Sequence, residues 1–177
     1  MSSVTDVKNI NNLDKDTSDK KKERTNAANA IIIKQGVDGK RYFLLGLRAK
    51  HKSGGGQWGL VGGTQSIGEP LEETLQRELL EEIGINVEID DIVWNNWFQC
   101  VPVPSVHFDH HGFVVSNWTG EIVNNEPDKC DELRWFAEDE LPWDNMFVSK
   151  VNLHNFVNNV PYDSKNNIHY LKKSPTM

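Results

Sequence analysis

The stretch PLEETLQRELLEEIG, residues 70–84, constrains the fold of this chain more than any other. Pro70 suits a first helical turn, where a missing N–H costs nothing, and Gly84 suits a helix end. At 100° per residue, Leu75, Leu79, Leu80 and Ile83 fall in one sector. Glu78, Glu81 and Glu82 lie beside it, within about 100° of one another. Such a helix packs its apolar side on a sheet and turns its carboxylates to a cleft or to water. Like charges at this spacing repel by about 0.2–0.5 kcal/mol per pair. The acidic face is therefore either simply solvated or completed by something positive. A hard cation such as Mg²⁺ takes oxygen ligands and keeps several waters, so a few carboxylates shared among ions would fit it.

The flanking sequence supplies strands. Residues 30–33 and 42–45 are rich in β-branched and aromatic residues, and the glycines of residues 36–40 predict a hairpin turn between them. KSGGGQW, residues 52–58, reads as a glycine loop, and residues 59–63 as a short strand breaking into a turn. After the helix, residues 87–89, 92–103, 113–123 and 133–136 read as strands, and residues 138–141 as a short helical turn. The apolar spacing of residues 147–160 predicts a closing amphipathic helix. Strands on both sides of a central helix predict an α/β domain built in α/β/α layers around a mixed sheet.

Residues 1–26 hold almost no apolar side chains and cannot offset their ordering entropy, so a disordered tail is expected there. The expected domain covers residues 27–165, with a C-terminal tail at 166–177. A net charge of −7 argues against a nucleic-acid polymer as partner. No apolar run approaches membrane-spanning length, and no signal-peptide core is seen, so no membrane and a cytoplasmic location are expected. Cys100 and Cys130 are then expected to be free thiols.

Reading outward from the helix gives GGTQSIGEPLEETLQRELLEEIGI, residues 62–85. Gly63, Glu69, Arg77, Glu78, Leu79, Glu81, Glu82, Gly84 and Ile85 match all nine defined positions of the Nudix box. The stretch resembles that signature of the Nudix hydrolase superfamily, and the strand pattern extends the resemblance over about residues 27–160. The resemblance implies metal-assisted hydrolysis of a nucleoside diphosphate linked to a group X, with Mg²⁺ or Mn²⁺ as cofactor. It implies metal ligation by Glu78, Glu81, Glu82 and the carbonyl of Gly62. It gives structural roles to Gly63, Glu69, Arg77 and Gly84. The general base varies within the family; Glu78 or Glu81 is expected here, with Glu126, Asp131 and Glu132 as later alternatives. Glu132 is favoured as an extra metal ligand because it precedes the strand at 133–136.

Two further stretches resemble the MutT-like branch: LLGLRAKHKSGGGQWGLVGG, residues 44–63, and NNEPDKCDELRWFAEDELP, residues 124–142. Val61 stands where proline is usual. The branch implies cleavage of a nucleoside triphosphate, oxidised or modified bases included, to monophosphate and pyrophosphate. Arg48 is the expected phosphate contact and Trp58 the expected base contact. Lys50 and Lys52 are further cations in the same loop, and Trp94, Trp97 and Trp118 further aromatics. His107, His110 and His111 are expected in a hairpin turn near the pocket mouth. The expected partners are a small nucleotide substrate and, at most, a second copy of the chain. The alternatives are an ADP-ribose or nucleotide-sugar pyrophosphatase and, in another class, an inactive nucleotide-sensing domain.

Overall fold

The structure, a computed structural model, describes residues 23–103 and 106–162. Most of the expected N-terminal tail and all of the C-terminal tail lie outside the described residues. Residues 23–26, which composition alone assigned to the tail, are already strand.

Strand β1, Glu23–Gln35, is the spine of the fold. Along its length it pairs in parallel with β6, Val106–Val115. On its other side it pairs antiparallel first with β4, Val61–Thr64, and then with β2, Arg41–Arg48. β2 carries the two-residue β3, Trp58–Gly59, on one edge and β7, Cys130–Ala137, on the other. β5, Ile92–Val103, pairs with β6 and completes a mixed seven-stranded sheet. The turn between β1 and β2 is closed by Gly36 N–H to Lys40 O at 2.8 Å.

The period-two alternation of β1 sorts its side chains to two faces. Ala28, Ala30 and Ile32 pack with Leu75, Leu79 and Ile83 of α1, Leu71–Ile83. Ile31 and Ile33 pack on the opposite face with Leu153 of α2, Lys150–Val157. One helix thus covers each face, giving the expected sandwich. Leu80, expected on the packed side of α1, is 48% exposed. Thr74 is buried on that side instead.

Three expected elements differ. Residues 87–89 form no strand: Val87 is buried under α1 and Ile89 begins a short 3-10 turn, Ile89–Asp91. The strand expected at 113–123 ends at Val115. The chain beyond it serves the C-terminus of α1 instead, where Gly84 adopts the left-handed conformation at φ 74°. Val123 N–H donates to Ile83 O and Asn125 N–H to Glu82 O, both at 3.0 Å. These bonds satisfy helix carbonyls that would otherwise lack partners. The closing helix is shorter than residues 147–160, because Phe147 N–H is drawn to Trp58 O at 2.7 Å. Cys100 and Cys130 are free thiols. Among the described residues, no helix is long and apolar enough to cross a membrane.

Candidate active site

The turn between β4 and α1 is held by one ion pair. Arg77 Nε donates to Glu69 Oε1 at 2.9 Å and Nη2 to Oε2 at 3.1 Å. Thr74 Oγ1 and the N–H of Ser66 also donate to Glu69. Arg77 foremost among these donors holds the Glu69 carboxyl down at about 2. Glu69 and Arg77 thus join the loop to the helix by direct hydrogen bonds.

The same arginine reaches the acidic face. Its Nη1 lies 2.7 Å from Glu78 and 3.3 Å from Glu81. The Glu78 carboxylate lies over Gly63, where a Cβ would overlap it. Glu81 is the most open of the three, its side chain 54% exposed. Glu82 is largely enclosed and accepts the N–H of Gly62 at 3.1 Å. Burial pushes its carboxyl up to about 7, against the Gly62 hydrogen bond, and the negative charges of Glu78 and Glu126 add to the rise. Gly62 has φ 139°, and a Cβ there would strike the carbonyl of Ala28 in β1. Glycine is required at this close approach.

Part of this group borders a cleft of about 420 Å³. Gly62, Gly63 and Glu82 contribute to one part of its wall, and Glu126 and Lys129 lie in the same lining. Lys129 pairs with Glu126 at 2.6 Å. Arg48 also lines the cleft, with its Nε donating to Ser53 O at 3.0 Å and its guanidinium 4.6 Å from the Phe147 ring centroid. Lys52 joins it there. Asn29, Phe108, His110 and Ser149 form a further part of the wall.

Glu78 and Glu81, although on the same acidic face as Glu82, are not in the cleft lining, and two further expected site residues are placed elsewhere. Glu132 does not line the cleft; its neighbour Leu133 does, so strand alternation turns Glu132 away, toward Arg134 at 2.7 Å. Glu126 is the later carboxylate that the fold brings into the lining. Trp58 is buried in the α2-side core, its ring 4.8 Å from that of Phe136. It supports the cleft from behind and presents no ring to it. Trp94, Trp97 and Trp118 lie outside the lining as well. His107, His110 and His111 stand in β6, paired to β5 and β1, rather than in a turn. Sequence reasoning overlooked Asn29. Its only signal was an amide set between the alanines and isoleucines of AANAIII, residues 27–33.

Among the described residues, no three His, Cys, Asp or Glu side chains converge tightly enough to enclose a metal ion. Arg77 takes oxygens of Glu78 and Glu81 in this arrangement. The donor chemistry nevertheless fits a hard divalent cation. Every candidate donor is oxygen, and Glu82 is a largely buried carboxylate that makes no direct ion pair among the described residues, the Lys129 charge acting on it only at longer range.

Comparison with known proteins agrees with this geometry. A family model described as the NUDIX domain matches residues 24–155. The oxidized purine nucleoside triphosphate hydrolase of Danio rerio is 34% identical over 110 residues, which cover 61% of this chain and 66% of that protein. The protein of the same name from Mus musculus is 34% identical over 102 residues, 56% of this chain and 61% of its own length. The matches thus span just under two thirds of these relatives. The crystal structure of a MutT NUDIX hydrolase from Burkholderia pseudomallei superposes with a TM-score of 0.65 at 28% identity, covering 75% of this chain and 97% of that one.

Proposed function

Because the chain belongs to the Nudix domain family, we propose that it is a Mg²⁺- or Mn²⁺-dependent pyrophosphohydrolase of nucleoside triphosphates. Nudix hydrolases act on small nucleotides and generally use divalent metals. The observation that carries the reading is the make-up of one cleft. Carboxylates flank it at Glu82 and Glu126, cations at Arg48, Lys52 and Lys129, and uncharged polar groups at Asn29 and Ser149. A polyphosphate needs the first two sets and a nucleoside the third.

In this reading Glu78, Glu81, Glu82 and the Gly62 carbonyl hold the divalent cation. When bound, it neutralises phosphate oxygens and acidifies the attacking water. Arg48 and Lys52 hold phosphate oxygens by charge-assisted hydrogen bonds. Glu81 is exposed and, among the described residues, is held by one 3.3 Å contact with Arg77, so it is the carboxylate best able to accept the proton of the attacking water. Arg77 and Glu69 keep the helix in register with the Gly62–Gly63 turn. The site acts on a small nucleotide, in the cytoplasm.

The test is product analysis. Purified protein with Mg²⁺ is given nucleoside and deoxynucleoside triphosphates, their oxidised forms, ADP-ribose and nucleotide sugars, and the products are separated by ion exchange. Monophosphate with pyrophosphate is the expected outcome. Cleavage of ADP-ribose with triphosphates untouched would replace this reading by a diphosphate-sugar activity. Nucleotide binding without turnover would replace it by a sensing role.

A further inference from the structure

Behind the cleft, α2 and the sheet share a chain of buried amides. Asn96 Nδ2 donates to the backbone carbonyl of Asn152 at 3.0 Å. A carbonyl only accepts, so Asn96 must turn its nitrogen there and its Oδ1 toward the Asn152 side chain. Asn152 Nδ2 donates to that Oδ1 at 2.8 Å and to the backbone carbonyl of His110 at 3.3 Å. The second carbonyl fixes Asn152 in turn, leaving its Oδ1 for Asn29. Asn29 Nδ2 donates to it at 3.1 Å and meets His110 Nδ1 at 3.3 Å. Asn96 and Asn152 are fully buried and Asn29 and His110 nearly so. Two backbone carbonyls thus set the polarity of every amide in the row, with no freedom to flip.

The end of this row is in the cleft. Asn29 and His110 both line it. Asn29 has committed its nitrogen, so its free group is the acceptor Oδ1. His110 accepts at Nδ1, so its proton is on Nε2, a donor. Neither atom is among the sealed, unpartnered polar atoms of the described residues, which belong to Asn155 alone. The imidazole is stacked flat on Phe98, with ring centroids 4.8 Å apart and 5° between planes. Burial, the main cause, pushes it down to about 4, so it stays neutral at working pH.

We infer that Asn29 Oδ1 and His110 Nε2–H read the nucleobase, selecting an edge that presents an N–H beside a hydrogen-bond acceptor, and that Asn152 and Asn96 are the positioning residues that hold this polarity. The inference rests on the proposed nucleotide reading and adds the part of the substrate that this wall recognises. A base without any N–H leaves Asn29 Oδ1 facing an unpaired acceptor or a C–H. Losing one hydrogen bond at a desolvated site costs about tenfold to a hundredfold in kcat/KM.

The experiment compares adenosine, guanosine and inosine triphosphates with purine riboside triphosphate, which keeps the ring shape but carries no base N–H. Initial rates and calorimetric binding are measured for wild type, Asn29→Leu and Asn152→Leu, with thermal melts to verify folding. Wild type is expected to prefer at least one N–H-bearing base by tenfold or more, mostly through KM. Asn152→Leu, which does not line the cleft, is expected to reduce that preference several-fold while kcat changes little. Asn29→Leu is expected to abolish it and stands as the deciding variant if Asn152→Leu does not fold. Equal use of purine riboside triphosphate by wild type, or an intact preference in Asn29→Leu, would overturn the inference while leaving the proposed activity standing. Selective binding without any turnover would uphold the base reading and sink the activity. No binding of any triphosphate would overturn both.

Discussion

The backbone N–H of Gly62 donates to the side chain of Glu82 at 3.1 Å, joining β4 to α1 across 20 residues of chain. This is the sole hydrogen bond found for that carboxylate among the described residues, and its other neighbours include Glu78 and Glu126. Replacing Glu82 with Gln removes the charge and keeps the shape. The expected result is a fall in kcat of at least about a hundredfold, the scale of losing one electrostatic group at a reacting centre. Without metal at pH 8, the variant should melt no lower than wild type, because it no longer buries a carboxylate pushed up to about 7. Full activity in Glu82→Gln and Glu81→Gln alike would remove the metal-site assignment.

Gly63 separates catalysis from folding in the same direction, through a backbone position rather than a charge. A Cβ there overlaps the Glu78 carboxylate, the far end of a flexible side chain, rather than backbone. Gly63→Ala should therefore fold, with a melting temperature within a few degrees of wild type, and lose most of its activity as Glu78 is displaced. Parallel calorimetry and rate assays check both halves; an active Gly63→Ala protein would show that the position of Glu78 is immaterial.

Arg77 to Lys is not a conservative change here. Lysine cannot make two parallel hydrogen bonds to Glu69 and still reach Glu78. The variant should lose about 1–3 kcal/mol of stability, the range for hydrogen bonds to charged groups. At about 2–4 °C per kcal/mol for a chain of this size, thermal denaturation resolves it easily. Activity should fall with it, since the same side chain fixes the helix against the Gly62–Gly63 turn.

His110 gives a pH dependence of stability. Its folded-state value of about 4 lies below the ordinary 6.5, chiefly through burial. The unfolded chain therefore binds more protons between these values, so stability is complete above about pH 6.5 and is lost as pH falls toward 4. The full loss is on the order of 3 kcal/mol. Urea denaturation between pH 4 and 8 measures the slope, and His110→Gln should flatten it; an unchanged slope would mean that other groups carry it.

Much of this was legible in the sequence because local signals agreed. Pro70, Gly84 and the leucine spacing located α1, and the extent of β5 came from its composition alone. The placement of the glutamates beside the packed face followed from helical periodicity, and their expected role as metal ligands from the resemblance to the Nudix box. The exceptions share a physical cause: partners distant in the chain decided them. Residues 113–123 read as one strand, yet the chain beyond Val115 caps α1 because the helix carbonyls need donors. Glu132 and Leu133 are adjacent, and only the register of β7 against β2 says which faces the cleft. Asn29 could not be distinguished from a stray polar residue without Asn152, which is 123 positions away.

The two faces of β1 carry a consequence for how this chain can vary. Ala28 lies toward the glutamate helix and Asn29 toward the amide row, one residue apart. Inserting or deleting a single residue upstream within the strand would exchange them, driving an amide into the core beneath the glutamates and an alanine into the nucleotide wall. The hairpin tip, where Val37 is fully exposed, has no such coupling. Lineages of this protein should therefore tolerate length changes at residues 36–40 and none at residues 27–33, whatever base they have come to prefer.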